Sequence, residues 1–270
     1  MTGVQTCALP ISRDIVTSLA LTVLALLATT LLLFGLGPDW AAYAPATCTA
    51  TRCFCEFPRI GSLILQPADS FSSYGYAFVG LLMIVLARGD HWRSGFDRNA
   101  AAFFGVTAIV VGLGSVLLHA TLSLWGQFFD VTGMYFTGGF MLVCALARWR
   151  RLSERQAITL YAALLAVLLT LLYLVPEVRR WLFAVVLIAA IIAEMGFARR
   201  LRAGVKTRYY LTGIALKAAA FTIWNLDQRG IVCAPHSLLQ GHAAWHLLGA
   251  TALFCTFLYY RSERTAAEPA

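Results

Sequence analysis

Long apolar runs alternate with short polar loops along this chain of 270 residues. A helix needs about 20 predominantly apolar residues to cross the hydrocarbon core of a bilayer. The pattern therefore predicts an all-α, polytopic transmembrane helical bundle. Eight runs are long enough to span, and they extend roughly over Ile15–Leu36, Ser70–Ala87, Ala100–Leu122, Gly126–Ala147, Gln156–Val175, Trp181–Ala198, Tyr209–Leu226 and Leu238–Tyr260.

The composition agrees with a membrane protein, since 60% of the residues are hydrophobic, 13% are charged and the mean hydropathy is +0.73. The net charge of +8 does not indicate nucleic-acid binding, because the basic residues lie in short loops between apolar runs. Fourteen Lys and Arg fall on one side of the predicted spans and five on the other. Basic loops face the cytoplasm. We therefore predict a multi-pass protein of the bacterial inner membrane with a cytoplasmic C-terminus.

The N-terminal part of the chain raises two further questions. Residues 2–11 read TGVQTCALPI, which resembles a translated sequencing adapter, so we interpret residues 1–12 as a non-native segment. The first apolar run is longer than the roughly 7–15 residues of a signal-peptide core and has no clear A-x-A motif before its end, which favours a membrane anchor. The predicted organisation is a helix over 13–37, a main domain over 38–262 and a disordered tail over 263–270.

Four polar side chains stand out within the apolar runs. His242 and His246 are four residues apart and share one helix face, His119 ends the third span, and Asp130 lies near the start of the fourth. The predicted topology places all four in the outer leaflet. Three neutral imidazoles with one open position are a common catalytic zinc set, and a carboxylate beside them can handle protons. Ser115 lies four residues before His119, on the same stripe.

Other interpretations of these residues exist. The Ser115 hydroxyl can bond back to a helix carbonyl, Asp130 can be a solvated helix-start residue, and a haem site would use one histidine from each of two helices. Glu194 and Lys217 are charges within the sixth and seventh spans. We interpret them as a structural pair toward the cytoplasmic half.

Several separated motifs resemble the alkaline ceramidase family of seven-span zinc amide hydrolases, over roughly residues 53–260. Those motifs are Gly114-Ser115 with His119, Asp130, Trp224 with Asp227 and Cys233, and Gln240-Gly241-His242 with Trp245-His246, together with Asp69-Ser70-Phe71-Ser72, Tyr76 and Gly80. The resemblance implies a seven-helix core with one extra N-terminal helix. It also implies zinc held by His119, His242 and His246, proton transfer by Asp130 and assistance from Ser115.

The implied reaction cleaves the amide of a ceramide-like N-acyl lipid into a fatty acid and a sphingoid-type base. Trp245 lies beside the histidine pair and is a candidate for the acyl pocket, or a packing tryptophan. Two rival hypotheses are a zinc-stabilised receptor-like or structural protein without turnover, and a transporter. No continuous chain of acidic and basic residues across the spans supports a transporter.

The resemblance has further implications for cysteines and for calcium. It favours a disulfide between Cys55 and Cys233, which leaves Cys48 and Cys53 to pair with each other, and reduced thiols are the alternative. Eukaryotic members bind calcium through acidic residues before their first span, where this chain keeps only Glu56. Calcium needs about six to eight oxygen ligands, so a single carboxylate weighs against a calcium site.

Overall fold

The computed structural model describes residues 10–37, 39–51, 53–89 and 92–265. Over these residues the chain is all-α: it contains four short 3-10 helices and no β-strand. Each predicted apolar run forms one helix, so the predicted fold class is confirmed. The helices are α1 (Pro10–Leu36), α2 (Pro67–Arg88), α3 (Arg98–Thr121), α4 (Leu124–Arg150), α5 (Glu154–Leu174), α6 (Arg179–Gly196), α7 (Thr207–Gln228) and α8 (Gly241–Arg261).

Six of the described helices, α1 to α5 and α8, are long and apolar enough to cross a membrane. Such a set defines a multi-pass membrane protein. The sequence predicted eight spans, but α6 and α7 do not meet the same criteria of length and hydropathy. Helix α6 has 18 residues and carries three charges, and Lys217 interrupts α7. Both helices nevertheless pack in the bundle, α6 against α4 and α7 against α8.

Small residues bring α2 and α3 into close contact. A Cβ on Gly80 would lie 2.4 Å from the carbonyl oxygen of Gly105, and a Cβ on Gly105 would lie 2.5 Å from the carbonyl oxygen of Gly80. Membrane helices use such residues to pack backbone against backbone. Helix α1 packs on the outside of α2, where Thr29 and the Tyr74 hydroxyl form a hydrogen bond. Most of its apolar side chains stay exposed, as lipid-facing residues do.

A buried ion-pair network closes the end of the bundle that carries the basic loops. Arg202 pairs with Glu194 at 2.8 Å and with Glu263 at 2.9 Å, and Arg148 also pairs with Glu263. Our interpretation of Glu194 and Lys217 as a pair is therefore wrong. Glu263 also lies within the segment predicted as a disordered tail, yet it is only 4% exposed. Residues 266–270 of that tail, and 1–9 of the adapter-like segment, lie outside the described residues.

Two disulfides stabilise the opposite end. Cys55 is joined to Cys233, and Cys48 is joined to Cys53. Next to the first bridge, the Phe57 amide donates to the Pro235 carbonyl at 2.9 Å. The loop before α2 is thereby held against the loop before α8, over the ends of the helices that carry the three histidines.

We predict that the bridge between Cys55 and Cys233 contributes several kcal/mol of stability. It spans 178 residues, and closing so long a loop is worth about 5 kcal/mol in the chain-entropy model. Peptide mapping without reductant should recover the two peptides joined, and a Cys55→Ala, Cys233→Ala protein should unfold at lower temperature. Cys144→Ala, at a cysteine outside both bridges, is the control. Alkylation of Cys55 and Cys233 in freshly isolated membranes without reductant would contradict the prediction.

Candidate metal centre and lipid cavity

Two helix ends place the histidines at one buried point. His119 lies in the last turn of α3, and His242 and His246 occupy the first two turns of α8, one above the other. The Nε2 atoms of His119 and His242 are 3.2 Å apart. One ring nitrogen from each histidine lies within 4.8 Å of the other two, and all three side chains are buried. These helices thus form a compact cluster of three imidazoles.

The hydrogen bonds of His119 fix which of its nitrogens is free. The Gln66 side-chain amide donates through Nε2 to the carbonyl of Glu56 at 2.8 Å. Its Oε1 therefore faces His119 Nδ1, at 2.9 Å. An amide oxygen only accepts, so Nδ1 of His119 carries the proton. The lone pair of Nε2 then points at the centre of the cluster.

The same logic applies to His246. Its Nδ1 lies 2.9 Å from the Ser72 hydroxyl and 3.2 Å from the Ser73 hydroxyl. Both hydroxyls donate to the carbonyl of Asp69, at 3.0 and 2.7 Å. They are therefore acceptors toward His246, which places the proton on Nδ1 and leaves Nε2 with its lone pair. Partners of this kind fix the tautomer of metal-binding histidines in known sites.

The donor set fits a zinc ion. Zinc with nitrogens at about 2.0–2.1 Å in a tetrahedron sets those nitrogens roughly 3.3 Å apart, close to the His119–His242 spacing of 3.2 Å. The ring of Phe54 packs against both of these histidines, at centroid distances of 4.5 and 4.3 Å. That apolar cover keeps bulk water from the cluster. Among the described residues, no other group of three His, Cys, Asp or Glu side chains comes together in this way.

Ser115 and Asp130 stand beside the cluster because α3 and α4 pack very closely. A Cβ on Gly114 would lie 2.4 Å from the Phe129 carbonyl oxygen and 2.9 Å from the Asp130 nitrogen. This contact turns the Ser115 hydroxyl toward both the Asp130 carboxylate and His246 Nε2, the latter at 3.3 Å. The hydroxyl does not form the back-bond to a helix carbonyl that a serine in a helix often makes. Instead its oxygen lies 3.0 Å from the Ser73 hydroxyl oxygen.

Glu56 has a different structural setting from a calcium ligand. Its two carboxylate oxygens accept hydrogen bonds from the Ala68 and Asp69 amides, each at 2.9 Å. Those amides lie in the first turn of α2 and have no partner within the helix. Burial raises the pKa of the Glu56 carboxyl, while the two amides and Arg59 act in the opposite direction. Both oxygens of this acid thus cap a helix.

Asp69 is another carboxyl group near the cluster, and the sequence analysis gave it no role in the site. It is completely buried, and neither carboxylate oxygen has a hydrogen-bond partner among the described residues. One oxygen lies 3.8 Å from His119 Nδ1, behind the histidine cluster. This carboxyl group therefore lies on the same side of His119 as Gln66, away from Nε2.

A large apolar cavity adjoins the histidine cluster. It has a volume of about 480 Å³, and Ser115, Asp130, His242 and His246 form part of its wall. Trp245 also lines it, with its ring 5.9 Å from that of Trp224. Most of the remaining wall is aliphatic or aromatic. The space therefore suits a hydrocarbon chain that ends at the polar cluster.

Three cationic side chains also reach this cavity, and the sequence analysis did not assign them to it. Arg179 and Arg180 begin α6, and Lys217 lies at the middle of α7. Lys217 is seven residues before Trp224, two helical turns, so both residues face α8. Its ammonium group lies 3.7 Å from the centroid of the Trp245 ring. Lys217 is therefore a residue of the cavity rather than of the cytoplasmic half.

Comparison with known families agrees with the architecture and the histidine cluster. A family model described as Ceramidase matches residues 47–269, which include α2 to α8. The fold and the cluster define a multi-pass membrane protein with a potential metal site at a lipid-sized cavity. The chain belongs to the ceramidase family, as the resemblance predicted. No curated protein matches it. Membership implies hydrolysis of an amide bond in a lipid, with a metal at the active site.

Proposed function

We propose that the chain is a zinc-dependent intramembrane hydrolase that cleaves the amide of a ceramide-like N-acyl lipid. One observation carries this proposal above all: a buried cluster of three imidazoles adjoins an apolar cavity whose wall includes Asp130, His242 and His246. A lipid chain in the cavity would place its amide carbonyl at the cluster. The proposed products are a free fatty acid and a sphingoid-type base.

Zinc, when held by His119, His242 and His246, supplies a Lewis acid and lowers the pKa of bound water to about 7. The Asp130 carboxylate is placed to take a proton from the attacking water as the new C–O bond forms. The Ser115 hydroxyl donates a hydrogen bond to the carbonyl oxygen as negative charge develops on it. Asp130 then returns its proton to the departing nitrogen, and the C–N bond breaks.

The cavity supports a lipid as the substrate. Its volume of about 480 Å³ lies in the range of roughly 300–1,000 Å³ typical of ligand pockets. We assign Trp245 to the wall that contacts the substrate, because Lys217 and Trp224 hold its ring against the cavity. Loss of the indole should raise KM more than it lowers kcat, since the ring contacts bound lipid before and during the reaction.

The proposed orientation places the metal centre in the outer leaflet of a bacterial inner membrane. The two disulfides support this choice, because disulfides persist in the periplasm and are rare in the cytoplasm. The loops with most of the basic residues gather at the other end, around Glu194 and Glu263. The C-terminus, which follows that end, is then cytoplasmic.

Turnover of an N-acyl sphingoid base by purified, zinc-loaded protein tests the proposal. We expect fatty acid and free sphingoid base to appear in equal amounts, and both to vanish with a chelator. Zinc bound at one ion per chain with no release of fatty acid would favour a receptor-like or structural protein instead.

A further inference from the structure

Three cations in the cavity wall have no carboxylate bound to them. Arg179, Arg180 and Lys217 form no ion pair within 4.0 Å among the described residues. The only acidic side chain that lines the same cavity is Asp130. The wall therefore carries an excess of positive charge in otherwise apolar surroundings.

Each cation interacts with a different residue at or beside the histidine cluster. Arg179 interacts electrostatically with Asp130. Arg180 interacts electrostatically with His242, and its guanidinium lies 5.1 Å from the Trp224 ring centroid. The cations therefore lie at separate points of the cavity wall.

Lys217, on α7, lies opposite Gly249 of α8, one helical turn after His246. The Tyr76 hydroxyl and the Lys217 ammonium lie 2.0 and 3.5 Å from the position that a Cβ on Gly249 would occupy. Lys217 also interacts electrostatically with His246. The glycine thus leaves room for a phenol and an ammonium side by side at the cavity wall. An oxygen-rich group bound there would receive hydrogen bonds from both.

Unpaired cations are costly in such surroundings. An ionised group taken from water into an apolar cavity loses much of its hydration unless an opposite charge replaces it. The aromatic faces of Trp245 and Trp224 compensate Lys217 and Arg180 in part, since the face of an aromatic ring attracts a cation. A bound anion would compensate them far better and would be held selectively.

We propose that the substrate of this chain is an N-acyl lipid whose amine portion carries an anionic group, such as a carboxylate, sulfonate or phosphate. This inference rests on the proposed function and narrows its substrate class. The acyl chain occupies the apolar part of the cavity, the amide lies at the metal centre, and the anion contacts Lys217 and Arg180. A neutral lipid would leave both cations unpaired.

A matched pair of ligands tests the inference. N-dodecanoyltaurine and N-dodecanoylethanolamine share the acyl chain, the amide and a two-carbon amine, but the first ends in a sulfonate and the second in a hydroxyl. We expect zinc-loaded protein to hydrolyse the sulfonate with the higher kcat/KM. We also expect it to bind the sulfonate about 10- to 100-fold more tightly, which is the usual contribution of a hydrogen bond to a charged group.

Binding is measured in the Asp130→Asn protein, so that no ligand is consumed and only the second substitution varies. Lys217→Gln should remove most of the preference, Lys217→Arg should keep it, and Arg180→Gln should reduce it. Lys206→Gln is the control, because Lys206 is exposed and is the only other lysine of the chain. It should leave the preference unchanged.

The outcomes separate this inference from the proposed function. If the two amides bind equally, or if the preference survives both Lys217→Gln and Arg180→Gln, the inference is wrong. Binding of dodecanoate, the fatty-acid product of both amides, is measured as well. The inference is also wrong if the substitutions weaken the binding of dodecanoate alone, since the cations would then hold the product carboxylate. If neither amide is hydrolysed while the preference follows Lys217, the proposed reaction fails but the anion site stands.

Discussion

We expect alanine at His119, His242 or His246 to remove bound metal and turnover together. In the proposed site each side chain supplies one of three imidazole ligands, and among the described residues no carboxylate or thiol joins the cluster to replace it. Loss of an outer partner alone typically costs about 10–100-fold in metal affinity, so loss of a ligand should cost more. Metal analysis of purified variants, alongside fatty-acid release, measures both effects on the same samples.

Thermal stability should fall with the metal. The cluster joins α3 to α8, and a ligand that binds only the folded state stabilises it. A chelator should therefore lower the Tm of the unmodified protein and leave that of the His242→Ala, His246→Ala protein unchanged. His236→Ala is the matched control, because His236 is exposed in the loop before α8. Full zinc content in the double variant would rule out this site.

We expect asparagine at Asp130 to stop turnover while the metal stays bound. Asp130 lies beside Ser115 rather than within the cluster, so in the proposed mechanism it transfers protons and is not a ligand. Removal of a proton-transfer group usually costs about 10²- to 10⁴-fold in rate. We expect kcat to fall by this amount with zinc content unchanged. Ser115→Ala should have a smaller effect, because a bound metal also stabilises the developing oxyanion.

Asp97→Asn provides the control for the loss of a carboxylate. Asp97 caps α3, where its side chain accepts from the Ala100 amide at 2.7 Å, and asparagine caps helices about as well as aspartate. It should leave kcat unchanged. A kcat within a few-fold of the unmodified value in zinc-loaded Asp130→Asn protein would remove Asp130 from the mechanism.

The sequence predicts the helices and the central residues of the site for a clear physical reason. Apolar runs of membrane length have few alternatives to a helix. Polar side chains within them are conspicuous, since such residues are costly there. His242 and His246 share a helix face by spacing alone, and alternation of the spans places His119 and Asp130 at the same end. None of this requires knowledge of how the helices pack.

The misplaced residues depend on packing that hydropathy does not encode. Lys217 lies at the middle of α7, and only the facing of α7 against α8 shows that it reaches Trp245. Glu194 finds its partner Arg202 in the following loop, which the hydropathy of the two spans does not reveal. The contact between Gln66 and His119 also depends on packing. A single glutamine before a helix forms no sequence pattern that would predict a hydrogen bond to a distant histidine.

Titration of metal-free protein with zinc, with fatty-acid release from an N-acyl lipid as the readout, tests the central proposal most directly. We predict that activity rises linearly and levels off at one zinc ion per chain. The His242→Ala, His246→Ala protein should stay inactive throughout the titration. Turnover that is the same with and without metal, or a fully loaded protein that releases no fatty acid from neutral or anionic N-acyl lipids, would contradict the proposal.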